Sequence, residues 1–187
     1  MSDHPYGPWM LGYAYIYIDN IRIGRHDWIT TLRDAMYSWE DIYEARKRTV
    51  YKKLFPLGKN DIFKVICLSY SFFASENLEC GIETFFPEAE DIDRSPGDFM
   101  FFPLVDAFDP WVGYLVSSGE YDKIIYGYAE KIFRDRDEDE GYPFRDNFTQ
   151  KIRTVLLRRG VVHGVIKETV DYLVSQHEIL KKLPETY

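Results

Sequence analysis

The sequence predicts an α+β fold in which a mostly antiparallel β-sheet packs against an early helix and a C-terminal helix. Two observations indicate this class. Residues 111–117 and 121–129 form two strand-like segments joined by a short glycine-containing loop, and apolar residues recur at helical spacing after Gly160. Helical and strand-like segments do not alternate regularly, which argues against a parallel sheet built from βαβ units. No repeat or linker divides the chain, so we expect a single domain over residues 1–187.

A hairpin followed by a helix is predicted for the N-terminal part of the chain. In residues 13–18, tyrosines alternate with alanine and isoleucine, which is the period of a strand. Asp19-Asn20 suits a tight turn, after which the next three residues return as the second arm. Asp27 or Thr30 is then expected to cap a helix that continues, alone or with a second helix, to residue 48.

Three later segments are predicted as strands and the last one as a helix. Residues 61–73 fit a helical stripe and a buried strand about equally, and we interpret them as a strand. Residues 99–104 and 148–157 are also strand-like. The final helix follows Gly160, and its predicted apolar stripe consists of Val162, Val165, Ile166, Val170, Leu173 and Val174.

The composition excludes several classes of protein. A chain of 187 residues with 45% hydrophobic and 17% aromatic residues can bury a core without disulfide staples. Its net charge of −8 argues against nucleic acid as the main ligand, since phosphate binding requires a basic face. The first residues do not resemble a signal peptide, and no apolar run reaches the length of a membrane span. We therefore expect a cytoplasmic protein in which Cys67 and Cys80 are reduced and buried.

No catalytic or metal-binding motif stands out. The sequence contains no phosphate-binding loop, dinucleotide-binding fingerprint or nucleophile elbow, and its four histidines form no pair at metal-ligand spacing. We therefore expect neither a cofactor nor a metal, and we do not expect an enzyme. One alternative stays open. Asp106 and Asp109 flank Phe108 beside Trp111, and they could serve a small-ligand or carbohydrate-acting enzyme with an aromatic cleft, although Asp109-Pro110 also suits an ordinary turn before a strand.

The negative charge is concentrated in one part of the chain. Residues 83–146 hold seventeen of the thirty-one acidic residues and six of the twenty-three basic ones, a net charge of −11, and the remainder is +3. The same window contains many of the large rings. Acidic groups steer a basic partner toward a surface and aromatic rings anchor it there, so this window favours protein binding.

Three stretches of the chain resemble immunity proteins of bacterial polymorphic-toxin and contact-dependent growth-inhibition systems. They are residues 12–24, the hairpin arm at residues 119–128, and residues 157–166 leading into the terminal helix, about a quarter of the chain. The resemblance implies a small cytoplasmic protein without enzymatic activity that binds one cognate toxin domain and blocks its active site or its access to substrate. Such toxins are often nucleases, whose substrate face is basic.

We expect the acidic window to complement a basic surface of such a toxin, without binding nucleic acid or a membrane. The predicted partner-binding residues are two acidic segments and one aromatic anchor: Glu88, Glu90, Asp91, Asp93, Asp137, Glu138, Asp139, Glu140 and Trp111.

Overall fold

A computed structural model of the protein describes residues 10–25, 27–69, 95–133 and 144–182. Seven strands and four α-helices lie in these ranges, with three short 3₁₀ turns between them. Their order is β1 (Leu11–Gly12), β2 (Ile16–Ile18), β3 (Ile21–Ile23), β4 (Thr30–Thr31), α1 (Leu32–Glu44), a 3₁₀ turn (Ala45–Lys47), α2 (Lys59–Ser69), a 3₁₀ turn (Pro96–Phe99), β5 (Trp111–Ser117), β6 (Tyr121–Tyr128), α3 (Ala129–Ile132), a 3₁₀ turn (Phe148–Lys151), β7 (Arg153–Arg158) and α4 (Val161–Leu180).

The centre of the fold is an antiparallel sheet in the order β5-β6-β7, and both of its faces are covered. Successive side chains of a strand point to opposite faces. Ile124 therefore joins the core that contains residues of α1 and α4, whereas Ile125 joins the core formed with α2. Burial on both faces explains why β5 and β6 have nearly continuous apolar sequences. This arrangement confirms the predicted α+β class, including the early and the C-terminal helix.

The N-terminal hairpin is confirmed at its turn, but its first strand is shorter than predicted, because β2 begins at Ile16 and residues 13–15 form no strand. Ile18 pairs with Ile21, and the two residues between them, Asp19 and Asn20, have φ values of 50° and 61°. Two successive left-handed residues form the tight turn that matches the twist of a two-stranded ribbon. A second small pair, β1 with β4, holds the start of this segment against the N-terminus of α1.

Helix α1 begins later than predicted. Its N-cap is Thr31, which has an extended backbone, and neither Asp27 nor Thr30 occupies that position. Thr30 is instead a buried strand residue paired with Gly12. The Thr31 hydroxyl donates a hydrogen bond of 2.7 Å to Asp34 in the first helical turn.

Three strand predictions are corrected by the structure. The strand expected at residues 61–73 is wrong over its described part, because Lys59–Ser69 is helix α2. Six of its eleven residues are buried, so no polar face marks it as helical. Residues 99–104 form no strand, since Phe99 ends a 3₁₀ turn and Met100 makes only an isolated bridge to Tyr114. The strand expected from residue 148 begins at Arg153, after a 3₁₀ turn.

The C-terminal helix is confirmed, but its buried face is narrower than predicted. Gly160 precedes α4 with a φ of 92°, a conformation that favours glycine. Val162, Ile166, Val170 and Leu173 are buried, whereas Val165 and Val174 of the predicted stripe are exposed. Cys67 is buried with a free thiol, as expected, and Cys80 lies outside the described residues. None of the described helices is long and apolar enough to cross a membrane.

Candidate partner-binding surface

Most of the predicted binding residues lie outside the described ranges. These are Glu88, Glu90, Asp91, Asp93, Asp137, Glu138, Asp139 and Glu140. The predicted anchor, Trp111, is the first residue of β5. It is half-buried, packs against the core, and meets the ring of Tyr128 edge to face with centroids 5.3 Å apart.

A row of exposed rings runs along the N-terminal segment. Tyr13, Tyr15 and Tyr17 are 55%, 47% and 64% exposed, and Leu11 extends the row at 39%. We call these four residues the tyrosine ridge. Alternation explains it, because Ala14, between Tyr13 and Tyr15, and Ile18, directly after Tyr17, face the core. Tyrosine combines a large apolar ring with a hydroxyl that stays hydrated, and it is enriched at protein interfaces.

At the Leu11 end, the ridge borders a small acidic groove. This groove has a volume of about 210 Å³, and its outer wall includes Ile29, which is 59% exposed, and Leu104, which is 72% exposed. Asp34 and Asp106 also line it. The Thr31 hydroxyl lowers the pKa of Asp34, burial opposes this shift, and the Arg33 guanidinium, whose Nη2 lies 3.1 Å from the carboxylate, adds to it. This carboxyl is therefore negatively charged at neutral pH and paired with Arg33, whereas Asp106 forms no ion pair among the described residues. Apolar side chains beside carboxylates suit a partner that presents both apolar and basic groups.

Beyond the Tyr17 end lies a larger cleft, which we call the cationic cleft. Its volume is about 640 Å³, and its lining includes Trp111, Tyr128 and four cationic residues, Lys59, Lys131, Lys151 and Arg153. The Lys59 ammonium donates to the Ile152 carbonyl at 2.5 Å. Within the described part of the chain, the other three form no ion pair. Trp111, the predicted anchor, therefore lines the same cleft as four cationic side chains.

The sequence did not reveal the ridge as a surface, although the signal for it was present. The period of two identified the strand, but the large aromatic members of the alternation were not assigned to the exposed side. The cationic cleft could not have been found in the same way. Its residues come from the β2–β3 turn, β3, α2, β5, β6, α3, the 3₁₀ turn at Phe148–Lys151 and β7, and only the fold brings them together.

Among the cavities found in the described part of the chain, Asp106 and Asp109 do not line a common aromatic cleft. Asp106 lines the acidic groove, whose lining contains aliphatic side chains and no aromatic ring. Asp109 is exposed and does not line this groove, and Phe108 is buried in the core. Among the described residues, no three histidine, cysteine or acidic side chains are placed to hold a metal ion.

One buried polar cluster joins the sheet to the start of α4. Asp122 on β6 is fully buried and accepts a 2.5 Å hydrogen bond from the Ser117 hydroxyl and a 3.3 Å bond from the Gly160 N–H. His163 Nδ1 lies 3.7 Å from the same carboxylate. Burial lowers the pKa of His163, with Asp122 opposing that shift and Arg159 adding to it.

This cluster is structural and does not resemble a nucleophilic triad. The Ser117 hydroxyl donates to the carboxylate and not to the imidazole, so His163 is not placed to act as the base of a serine–histidine pair. Asp122 instead places negative charge at the N-terminus of α4. The N-cap residue, Gly160, has no side chain that could accept a capping hydrogen bond there.

Comparisons with known proteins give a family match and a similar solved structure. Residues 1–172 match the family described as Immunity protein 42, Imm42. Among solved structures, the chain is similar to CdiI from Burkholderia dolosa AUO158, with a TM-score of 0.55 and 16% identity over 87% of this chain and 84% of that one. At that identity the likeness concerns the fold alone. A comparison with curated proteins found no match.

Proposed function

The chain belongs to the Immunity protein 42 family, and on that premise we propose that it binds one cognate toxin domain and blocks its action. The proposed setting is a contact-dependent growth-inhibition system. There the toxin would act in the cytoplasm, and a nuclease is the toxin class that suits an acidic inhibitor. The family suggests that the chain neutralises its target by binding and not by catalysis.

The tyrosine ridge is the observation that best supports binding through the described part of the chain. Soluble proteins rarely leave several large apolar side chains exposed side by side, and such patches commonly mark interaction surfaces. Six of the large hydrophobic residues that are exposed in the described chain lie between residues 11 and 29. We propose that the ridge and its acidic groove contact the toxin directly.

The acidic segments at residues 88–93 and 137–140 are the second part of the proposed contact surface, beside the tyrosine ridge. Glu88, Glu90, Asp91 and Asp93 precede the described residue Ser95, and a second acidic run follows Phe133. Charges of one sign accelerate the capture of an oppositely charged protein and are screened by salt. We propose that these acids attract a basic toxin face, with Trp111 as an additional anchor.

The ridge is tested by a triple exchange of Tyr13, Tyr15 and Tyr17 to alanine, with the toxin domain encoded beside this chain as the partner. A matched control exchanges three exposed tyrosines elsewhere, Tyr37, Tyr121 and Tyr172. Because interface tyrosines often contribute more than about 1 kcal/mol each, we expect the ridge variant to lose about 100-fold in affinity or more. The control should stay within a few-fold. Equal protection of cells by both variants would exclude the ridge from the interface.

The acidic segments require a kinetic experiment. Reversal of Glu88, Glu90, Asp91 and Asp93 to lysine should lower the association rate constant and flatten its dependence on salt, since long-range attraction acts mainly on encounter. Association rates that match those of the wild type at low salt would remove these residues from the proposed contact surface. The affinity loss expected for the ridge variant does not depend on that result, so the contributions of the ridge and of the acidic segments can be measured separately.

A further inference from the structure

The cationic cleft gives the interaction surface a second end of opposite charge. Asp19, two residues beyond Tyr17, lines the cleft, so the ridge leads directly into it. The acidic groove lies at the other end, beside Leu11. From Leu11 to Asp19 the chain spans at most about 28 Å, which is within the width of an ordinary protein interface.

We propose that the cationic cleft receives an acidic segment of the protein partner, which, if the proposed function holds, is the toxin domain. Lys131, Lys151 and Arg153 supply charge that the described chain leaves without an ion pair. Trp111 and Tyr128 supply half-buried rings beside them. Tryptophan, tyrosine and arginine are the residue types that most often dominate binding energy at protein interfaces, and here all three line one concave site.

The charge of the whole chain favours an acidic protein segment over nucleic acid in this cleft. A chain with a net charge of −8 repels a polyanion at a distance. A protein partner with charges of both signs does not meet this barrier. Its basic face is drawn to the acidic groove and acidic segments, while its carboxylates pair with the cleft.

The two charged ends therefore define the orientation of the partner on the ridge. A partner turned end for end would place its acidic segment against Asp34 and Asp106 and its basic groups against the lysines of the cleft. Like charges brought together at both ends oppose that arrangement. The ridge can make apolar contacts with the partner in either orientation, and the charged ends determine which orientation is favoured.

The test compares two double charge reversals in the full chain. The first variant, Lys131→Glu with Arg153→Glu, alters the cleft. The second variant, Lys52→Glu with Lys53→Glu, is the control. All four side chains are exposed, and both variants lower the net charge by the same amount. Binding of the toxin domain is measured by biolayer interferometry at about 0.05 and about 0.3 M salt, because interactions between exposed charges are screened strongly over this range of ionic strength. Thermal unfolding of each variant verifies folding, and the neutral pair Lys131→Gln with Arg153→Gln provides a second cleft variant.

If the cleft binds an acidic segment, its reversal raises the dissociation rate constant by about 10-fold or more and the control changes it by less than about 2-fold. The neutral pair gives an intermediate value. Equal dissociation rates for the cleft and control variants overturn the proposal while leaving immunity intact. A wild-type chain that does not bind the toxin overturns the proposal and the function together. Binding of a labelled single-stranded oligonucleotide that competes with the toxin, and that the cleft reversal abolishes, also overturns it in favour of a nucleic-acid ligand.

Discussion

Replacement of Asp122 by alanine should be among the most destabilising single changes in this chain. The carboxylate is fully buried, and it satisfies the Ser117 hydroxyl and the Gly160 N–H at the same time. It also faces His163 across 3.7 Å. Removing it leaves the buried Ser117 hydroxyl and the partly buried Gly160 N–H without this acceptor, and it removes the negative charge at the start of α4.

The magnitude follows from those two donors. A buried donor left without a partner costs about 1–3 kcal/mol, so the two donors together give a loss of about 2–6 kcal/mol, with the partly buried Gly160 N–H contributing the smaller share. This is a large fraction of the 5–15 kcal/mol that is typical of a single domain. Asp122→Asn retains one carbonyl oxygen and donates through its amide, so the expected loss is only about 1–2 kcal/mol. Thr49, whose hydroxyl lies 3.4 Å from that of Ser117, offers the serine a second partner in both variants, which places the loss for alanine toward the lower end of its range.

Urea unfolding at pH 7.5, followed by tryptophan fluorescence, measures these losses. The control is Asp109→Ala, an exposed carboxylate without a hydrogen bond among the described residues, which should change the free energy of unfolding by less than about 0.5 kcal/mol. A loss below about 1 kcal/mol for Asp122→Ala, or a larger loss for the asparagine variant than for the alanine variant, would refute the assignment of this carboxylate as the acceptor that holds α4.

Other predictions concern pH, packing and thiol chemistry. The pKa of His163 is lower in the folded chain than its unfolded value of about 6.5, so the unfolded state takes up the proton first as the pH drops. The free energy of unfolding therefore falls below that pH. In urea unfolding measured at several pH values, His163→Gln should show a smaller decline than the wild type, by up to about 1.4 kcal/mol per pH unit. Gly127→Ala should cost about 1–3 kcal/mol, since the new Cβ would lie 2.5 Å from Ile132 Cδ1 and 3.0 Å from a backbone carbonyl. Gly164→Ala, in an open position of α4, should instead stabilise the chain by up to about 1 kcal/mol in the same assay. Burial raises the pKa of Cys67 to about 12, so mass spectrometry should find this thiol unmodified by iodoacetamide at pH 8 until the chain unfolds.

The sequence allowed prediction of the elements whose two faces differ or whose ends carry turn residues. The β5–β6 hairpin, the Asp19-Asn20 turn and helix α4 after Gly160 are of this kind. Helix α2 was missed for the opposite reason. A helix buried on several sides has no polar stripe, and a run of residues such as Ile62 to Leu68 has the composition of a buried strand as well.

The candidate site was predictable only in its general character. Net charge and family resemblance indicated a binding protein, and the comparisons confirm the immunity family. The predicted acidic contacts lie outside the described residues and stay a prediction. Neither the acidic groove nor the cationic cleft has a sequence signature, because Leu11 and Leu104, or Lys59 and Arg153, meet only through the fold.

The composition of the ridge reconciles two opposed requirements. An immunity protein must persist alone in water before it meets its toxin, yet it needs apolar area to hold the toxin tightly. Tyr13, Tyr15 and Tyr17 keep their hydroxyls available to water, and the fully apolar groove residues at the Leu11 end are few. Phenylalanine at the three tyrosine positions would therefore keep the ring area but promote self-association of the free chain. Sedimentation of that triple variant should show concentration-dependent oligomers that the wild type lacks, and a monomeric variant with unchanged solubility would refute the role of the hydroxyls in keeping the free chain apart.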